Sequence, residues 1–138
     1  MEPSPISYEA WLGQLHPFFV HFPIVLFTLT LLSDILGHYN IKNSFVLGCW
    51  LLWAGTLMTI PALVTGWEAS KSFPDGNPLI QAHMFRAFCL TGYAFTYSIF
   101  RWIKSDLPPF VWMLLSVILL FLTSWTSGYG ESFRGWNH

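Results

Sequence analysis

Residues 43–67 read NSFVLGCWLLWAGTLMTIPALVTGW, and this run contains no Asp, Glu, Lys or Arg. Two further runs lack those four residue types: residues 107–130, and residues 10–33, which hold two histidines. A run of about 20 apolar residues is long enough to cross the ~30 Å hydrocarbon core of a bilayer as a helix. The sequence therefore predicts an integral membrane protein, with the lipid bilayer as its first partner.

The composition of the whole chain points the same way. Of 138 residues, 54% are apolar and 9% are charged, whereas soluble domains average about 45–50% and 25%. The length predicts a single membrane domain covering residues 1–138. A net charge of −1 with no basic cluster argues against nucleic acid as a partner. The N-terminus has no basic segment that would mark a cleaved signal peptide, so we expect the first apolar segment to be retained.

Turn and helix-breaking residues divide the apolar sequence into four predicted spans, at about residues 17–36, 44–67, 79–103 and 108–127. Short connections between the spans predict an all-α, antiparallel four-helix membrane bundle with both termini at one end. We call that end side A and the opposite end side B. Cys49 and Cys89 fall within different spans at different expected depths, so we interpret them as small buried side chains and not as a disulfide.

The first span opens unusually, with the sequence Leu15-His16-Pro17-Phe18-Phe19-Val20-His21-Phe22-Pro23. Pro17 suits the first position of a helix, where its missing N–H costs nothing. Pro23 removes a helical hydrogen bond and crowds the carbonyl four residues earlier. We therefore expect either a bend near His21 or a helix that begins near Phe22. Irregular backbone at membrane depth is tolerated where it is buried or lines a cavity, which indicates a site at this end.

Tracing the spans up and down the bundle brings polar residues from several helices to side A: His16, His21, Trp67, His83, Arg86 and Glu131. Ionisable side chains within spans usually face the bundle interior or a cavity. His16 and His21 are five residues apart, which is roughly 140° around a helix of 3.6 residues per turn, so they are poor joint ligands. At side B, Asp34 and Arg101 lie at the same predicted level, and we expect an ion pair that aligns two helices.

The leading hypothesis is a haem b subunit that transfers electrons within a bacterial membrane complex. His21 and His83 would be the axial ligands, because neutral imidazoles from two helices bind haem iron. His16 would be an alternative ligand or a supporting residue. Arg86 would pair with a haem propionate, and Trp67 would pack against the macrocycle.

Other readings stay open at this point. The three histidines with Glu68, Asp75 or Glu131 could hold zinc or copper, although their spacing matches no tight chelating motif. A quinone or lipid headgroup could bind among the aromatic rings. The histidines could instead only join helices, in a non-catalytic accessory subunit of a larger respiratory or photosynthetic complex. No nucleophile–base arrangement is visible, so an electron-transfer or accessory role is favoured over a stand-alone enzyme.

The orientation follows from the charges around the first span. Its N-terminal flank has no Lys or Arg, whereas Lys42 follows its other end. Basic residues mark the cytoplasmic side. We therefore expect a multi-pass protein of the cytoplasmic (inner) membrane, with side A and its histidines on the periplasmic side.

The His16-Pro17-x-x-x-His21-Phe22-Pro23 motif resembles a bacterial membrane family of unknown function, the DUF2231 type. The resemblance continues at Asp34, at Thr65-Gly66-Trp67, at His83 and at Gly128-Tyr129-Gly130-Glu131, and so covers nearly the whole chain. The C-terminal tail is shorter than the ending typical of the family. The resemblance implies a four-helix membrane protein with a possible redox link, and it implies no settled activity.

Overall fold

The computed structural model describes residues 8–73 and 76–127, and over that part of the chain its regular structure is entirely helical. A short helix, α1 (Tyr8–Gln14), leads into four long ones: α2 (His16–His38), α3 (Ser44–Ser70), α4 (Pro78–Ile103) and α5 (Pro109–Ser127). The long helices begin and end within one turn of the four predicted spans. The prediction of an all-α membrane bundle is confirmed.

The start of α2 corrects one expectation from the sequence. The carbonyl of Leu15 accepts hydrogen bonds from the N–H groups of Phe18 and Phe19, at 3.0 and 3.1 Å. These bonds close the first turn well before Pro23, and Pro17 occupies the early position that tolerates a missing N–H. The helix therefore begins at His16 and continues through Pro23 to His38. The alternative of a start near Phe22 is wrong.

The four long helices form a ring in which each packs against its two neighbours. Helix α2 contacts α3 and α5, and α4 contacts the same two helices from the other side, while α1 packs on α3. Helices α2 and α4 therefore lie diagonally across the bundle. Both run from side A to side B, so residues at the starts of α2 and α4 share one end of the molecule.

The interior of the bundle is rich in small polar side chains, and large apolar side chains cover its outside. Thr30, Ser98 and Ser116 are each no more than 1% exposed, whereas Trp50 and Phe121 are 68% and 67% exposed. Small residues let helix backbones approach closely in a bilayer. An apolar surface this extensive is not tolerated in water but is expected against lipid tails. The arrangement supports the assignment as a membrane protein.

Within the described residues, three helical segments are long and apolar enough to cross a bilayer: Trp11–His38, Ser44–Ser70 and Pro109–Ser127. Helix α4 is not among them, although it has 26 residues. Its hydropathy is lowered by polar side chains that point into the bundle, such as Tyr97 and Arg101, which are 3% and 1% exposed. Its outer face is apolar, with Phe85 and Trp102 66% and 67% exposed. That α4 crosses the membrane with its neighbours stays a prediction.

At side B, a buried ion pair joins the two diagonal helices. The Arg101 Nη2 atom of α4 lies 2.6 Å from Oδ1 of Asp34 on α2, and both side chains are at most 2% exposed. Ser116 of α5 donates a hydrogen bond to Oδ2 of the same carboxylate at 2.5 Å, and Arg101 donates to the Tyr97 hydroxyl at 3.0 Å. The structure therefore contains the ion pair that the sequence predicted.

Several buried positions of the first two long helices recur in the last two. Each buried residue of α2 in these pairs is the same number of residues before its counterpart on α4. Each buried residue of α3 likewise precedes its counterpart on α5 by a constant, slightly smaller number of residues. The pairs on α2 and α4 are Pro23 and Leu90, Phe27 and Ala94, Thr30 and Tyr97, and Asp34 and Arg101. The pairs on α3 and α5 are Gly48 and Trp112, Leu52 and Ser116, Gly55 and Leu119, and Thr59 and Thr123.

Candidate functional site

At side A, the imidazole rings of His16 and His83 meet across the same diagonal. Their centroids are 6.3 Å apart, and the ring planes are perpendicular. His16 is the first residue of α2, and His83 lies in the second turn of α4. Two ionisable rings from non-adjacent helices thus converge where the bundle opens toward the membrane surface.

Each of the two rings is fixed by a backbone carbonyl of a neighbouring helix. Nδ1 of His16 is 3.0 Å from the carbonyl oxygen of Ala62 on α3, and Nδ1 of His83 is 3.1 Å from that of Thr126 on α5. A carbonyl oxygen can only accept a hydrogen bond, so each Nδ1 carries the hydrogen. In a neutral imidazole the other nitrogen, Nε2, then bears the lone pair and can act as a ligand.

The last described turn of α5 supplies backbone acceptors to two side chains of α4. The Thr126 carbonyl accepts the hydrogen bond from His83, and the carbonyl of the preceding residue, Trp125, accepts one from Arg86. The end of α5 thus orients the α4 side of the site.

A cavity of about 300 Å³ adjoins both histidines between α3 and α4. Trp67 and Phe88, which are 54% and 53% exposed, stand at its outer edge, so the cavity opens toward the lipid-facing surface. Its lining is otherwise mainly apolar and consists of His16, Ala62, Leu63, Val64, Gly66, Trp67, Glu68, His83, Met84, Ala87 and Phe88. Glu68 is the acidic residue of this lining, and it forms an ion pair with Lys71 at 2.7 Å.

The structure pairs His83 with His16, and not with His21 as expected from the sequence. His21 is exposed, and its Nδ1 donates a hydrogen bond to the carbonyl of Pro17 in its own helix. The five-residue separation turns His21 well away from the face that carries His16. His21 is also not among the residues that line the cavity.

Arg86 lies beside the histidine pair and packs against α5. Its guanidinium carbon is 4.4 Å from the centre of the Trp125 ring, and Nη1 donates a hydrogen bond to the Trp125 carbonyl at 3.4 Å. These contacts hold the start of α4 against the end of α5, one turn from His83. Arg86 does not line the cavity.

The structure offers little support for the predicted small-metal site. Among residues 8–73 and 76–127, no group of three or more His, Cys, Asp or Glu side chains is arranged to hold a metal ion. Asp75 and Glu131, which the sequence suggested as further ligands, lie outside the described residues. What the structure brings together is a pair of imidazoles with an apolar cavity.

Comparison with known families accounts for almost the whole chain. A family described as a predicted membrane protein, DUF2231, matches residues 13–134. The chain belongs to the DUF2231 family. The resemblance drawn from the His16-Pro17-x-x-x-His21-Phe22-Pro23 motif is therefore confirmed. No curated protein matches the chain, and no solved structure does, so the chemistry of this DUF2231 protein has to be argued from its own geometry.

Sequence reasoning on this DUF2231 chain missed one signal that indicates which histidine of α2 lies beside His83. The interval from His16 to Asp34 on α2 is the same as the interval from His83 to Arg101 on α4. That interval corresponds to about five helical turns, or about 27 Å, so each pair lies on a single helix face. Once Asp34 and Arg101 are predicted to meet at side B, the same faces bring His16 and His83 together at side A.

Proposed function

We propose that this protein binds haem b between His16 and His83 and serves electron transfer in the membrane. The observation that carries the proposal is the paired arrangement of the two imidazoles. Each donates its Nδ1 hydrogen to a backbone carbonyl, and their rings lie 6.3 Å apart.

Metal-binding histidines commonly have their second nitrogen tied in this way. A hydrogen bond from Nδ1 to a carbonyl fixes the tautomer and the ring orientation, and it makes the other nitrogen a better ligand. The same bond is present on both rings and is supplied by two different helices. It leaves a lone pair on both Nε2 atoms, which supports a group held by both rings.

The separation of the rings also suits a single ion. Metal–imidazole bonds are about 2.0–2.1 Å long, so two imidazoles that share one ion have ring centres at most about 6.5 Å apart. The rings of His16 and His83 have centres 6.3 Å apart and perpendicular planes. The two residues are therefore close enough that together they would hold one metal-containing group.

The number of ligands favours haem over zinc or copper. Structural zinc sites take four protein ligands, and catalytic zinc sites take three, whereas the described residues offer two imidazoles and no larger group. Haem iron receives its equatorial nitrogens from the porphyrin and needs only axial ligands from the protein. When bound, haem b would supply a one-electron carrier, and the mainly apolar residues that line the cavity would contact it.

The residue roles differ from those expected at first. His16 and His83 are the proposed ligands, and Trp67 is proposed to pack against the macrocycle at the open edge of the cavity. His21 has no ligand role in this proposal, because it is exposed and bonded within its own helix. The propionate role of Arg86 stays a prediction, since its guanidinium already stacks on Trp125.

A quinone suits this geometry less well than a metal. The carbonyl oxygens of a quinone need hydrogen-bond donors, but the two neutral histidines present lone pairs at Nε2. The zinc or copper reading and the accessory-subunit reading make distinct predictions for the purified protein. The former requires a bound ion in elemental analysis, and the latter requires co-purification with a larger complex and no chromophore.

The proposal is tested by absorption spectra of the full-length protein purified in detergent and supplied with haem b. The wild type is expected to develop a Soret band typical of iron with two histidine ligands. His16→Ala and His83→Ala are each expected to change that spectrum and weaken binding at least tenfold. His21→Ala is the matched control and is expected to leave the spectrum unchanged.

Two results would overturn the proposal. One is the absence of a Soret band in the wild type after supplementation. The other is a band that survives unchanged in both His16→Ala and His83→Ala.

A further inference from the structure

Gly66 lies directly against the imidazole ring of His16. A Cβ atom added to Gly66 would come within 2.9 Å of Cε1 of His16 and within 3.1 Å of its Nδ1. Non-bonded Cβ atoms are essentially never found closer than 3.0 Å to another heavy atom. The ring can therefore occupy this position only because residue 66 has no side chain.

The same turn of α3 also supplies the other contacts of the His16 ring. The Ala62 carbonyl, one turn before Gly66, accepts the Nδ1 hydrogen at 3.0 Å. The Thr65 hydroxyl oxygen lies 3.4 Å from the same nitrogen and donates its own hydrogen to the Pro61 carbonyl at 2.8 Å. The close contact with Gly66 and the hydrogen bond to the Ala62 carbonyl together determine the orientation of the ring.

The two histidines depend on different helices for this support. His16 is oriented by α3 through Ala62 and Gly66, whereas His83 is oriented by the end of α5 through Thr126. A change at Gly66 should therefore disturb one ring and leave the other in place. Gly66 is only partly buried at the edge of the cavity, so a displaced His16 ring has room to move without unpacking the bundle interior.

We propose that Gly66 is a positioning residue that holds the His16 imidazole in its pairing with His83. This inference rests on the proposed function where it concerns a bound group, and on the ring contacts alone where it concerns His16. Any side chain at position 66 displaces the ring, breaks its bond to the Ala62 carbonyl and removes one of the two ligands.

The first test compares Gly66→Ala with the wild type after addition of haem b to the purified full-length protein. Gly66→Ala is expected to bind haem at least tenfold more weakly and to shift the spectrum from six-coordinate, low-spin iron to five-coordinate, high-spin iron. Free imidazole in the buffer is expected to restore the low-spin spectrum, because it can replace the displaced ligand. A merely structural defect would not respond to imidazole.

The matched control is Gly92→Ala, since a Cβ at Gly92 would meet no atom within 4 Å. Both substitutions place alanine within a long helix, so they share the same effect on helix propensity. Gly92→Ala is expected to keep the wild-type spectrum and affinity. An unchanged low-spin spectrum in Gly66→Ala would overturn the proposal.

A second measurement needs no haem. In protein with ¹⁵N-labelled histidine and no added haem, NMR reports which ring nitrogen of His16 carries the hydrogen, with the signal assigned through His16→Ala. The wild type is expected to show hydrogen on Nδ1, and Gly66→Ala is expected to lose that single-tautomer signal.

The two measurements separate the two proposals. Loss of the tautomer signal in a protein that binds no haem supports the role of Gly66 and refutes the haem function. Normal haem binding with an unchanged His16 signal in Gly66→Ala refutes the role of Gly66 alone.

Discussion

Asp34 and Arg101 form a buried ion pair with a 2.6 Å contact, on the same two helix faces that bring His16 and His83 together at the opposite end of the bundle. The guanidinium also packs against two aromatic rings, 4.8 Å from the centre of Phe45 and 5.4 Å from that of Trp112. Helices α2 and α4 lie diagonally across the bundle, so these two polar pairs link helices that are not neighbours in the ring. One link is an ion pair, and the other is a pair of imidazoles whose Nε2 atoms can act as ligands.

Removing one partner of the ion pair is expected to cost far more than removing both. Asp34→Leu or Arg101→Leu leaves an uncompensated buried charge, which costs about 3–5 kcal/mol, whereas replacing a whole buried pair by apolar residues is often nearly neutral. The free energy of unfolding in mixed micelles should therefore fall strongly in each single variant and much less in the double variant. Lys104→Leu, at an exposed position, is the control for loss of a positive charge. Additive losses would contradict this coupling.

Gly48 is expected to be essential for the same ion pair. A Cβ at this position would come within 2.5 Å of Nη2 of Arg101 and 3.3 Å of Oδ1 of Asp34. Arg101 cannot move aside easily, because Asp34, Tyr97 and two aromatic rings hold it. Gly48→Ala should therefore destabilise the protein by about 1–3 kcal/mol, as other over-packed interiors do.

The control for Gly48→Ala is again Gly92→Ala, at a position with open space around it. Alanine is a better helix former than glycine, so Gly92→Ala is expected to be neutral or slightly stabilising. Equal unfolding free energies for the two variants would show that the close approach at Gly48 does not affect the stability of the protein.

The stacking of Arg86 on Trp125 is expected to be worth about 0.5–2 kcal/mol, the usual range for a cation over an aromatic face. A double-mutant cycle with Arg86→Met and Trp125→Leu isolates this term, because the hydrogen bond to the Trp125 carbonyl survives a change of its side chain. Arg86→Lys keeps the charge but loses the planar contact, so it should behave more like Arg86→Met than like the wild type. A coupling energy near zero would show that the stacking of Arg86 on Trp125 does not contribute to the stability of the protein.

The crossing of α4 can be tested by cysteine labelling from each side of the membrane. In a Cys49→Ala/Cys89→Ala background, single cysteines are introduced at the exposed positions Lys42, Ser72 and Ser105. A membrane-impermeant maleimide should label Ser72→Cys from one side, and Lys42→Cys and Ser105→Cys from the other. If Ser72→Cys and Ser105→Cys were labelled from the same side, α4 would not cross. The side that labels Lys42→Cys also tests the predicted cytoplasmic location of side B.

Much of this fold follows from the sequence because a bilayer imposes simple rules. The charge-free runs 43–67 and 107–130 predict helices, since lipid offers the backbone no alternative hydrogen bonds. The Asp34–Arg101 pair was predictable for a related reason, because opposite charges at one depth inside the same bundle are expected to pair. These inferences need only the depth of a residue in the membrane.

Depth in the membrane does not determine whether His16 or His21 faces α4. Both lie near side A, and only the rotational phase of α2 decides which one faces α4. Pro23 made that phase uncertain, since it could have bent the helix or delayed its start. The support of the rings was also hidden, because Ala62 and Thr126 act through backbone carbonyls that any residue could supply. Gly66 was visible in the sequence, but its role depends on a contact with a distant helix.

The recurrence of the buried positions of α2 on α4, and of those of α3 on α5, has an evolutionary consequence. It is the pattern that would remain if a gene for one helical hairpin had been duplicated and fused, so that two former subunits became one chain. The interval that relates α2 to α4 also separates His16 from His83, which would then descend from one ancestral residue at a two-fold axis, where a homodimer presents each side chain twice.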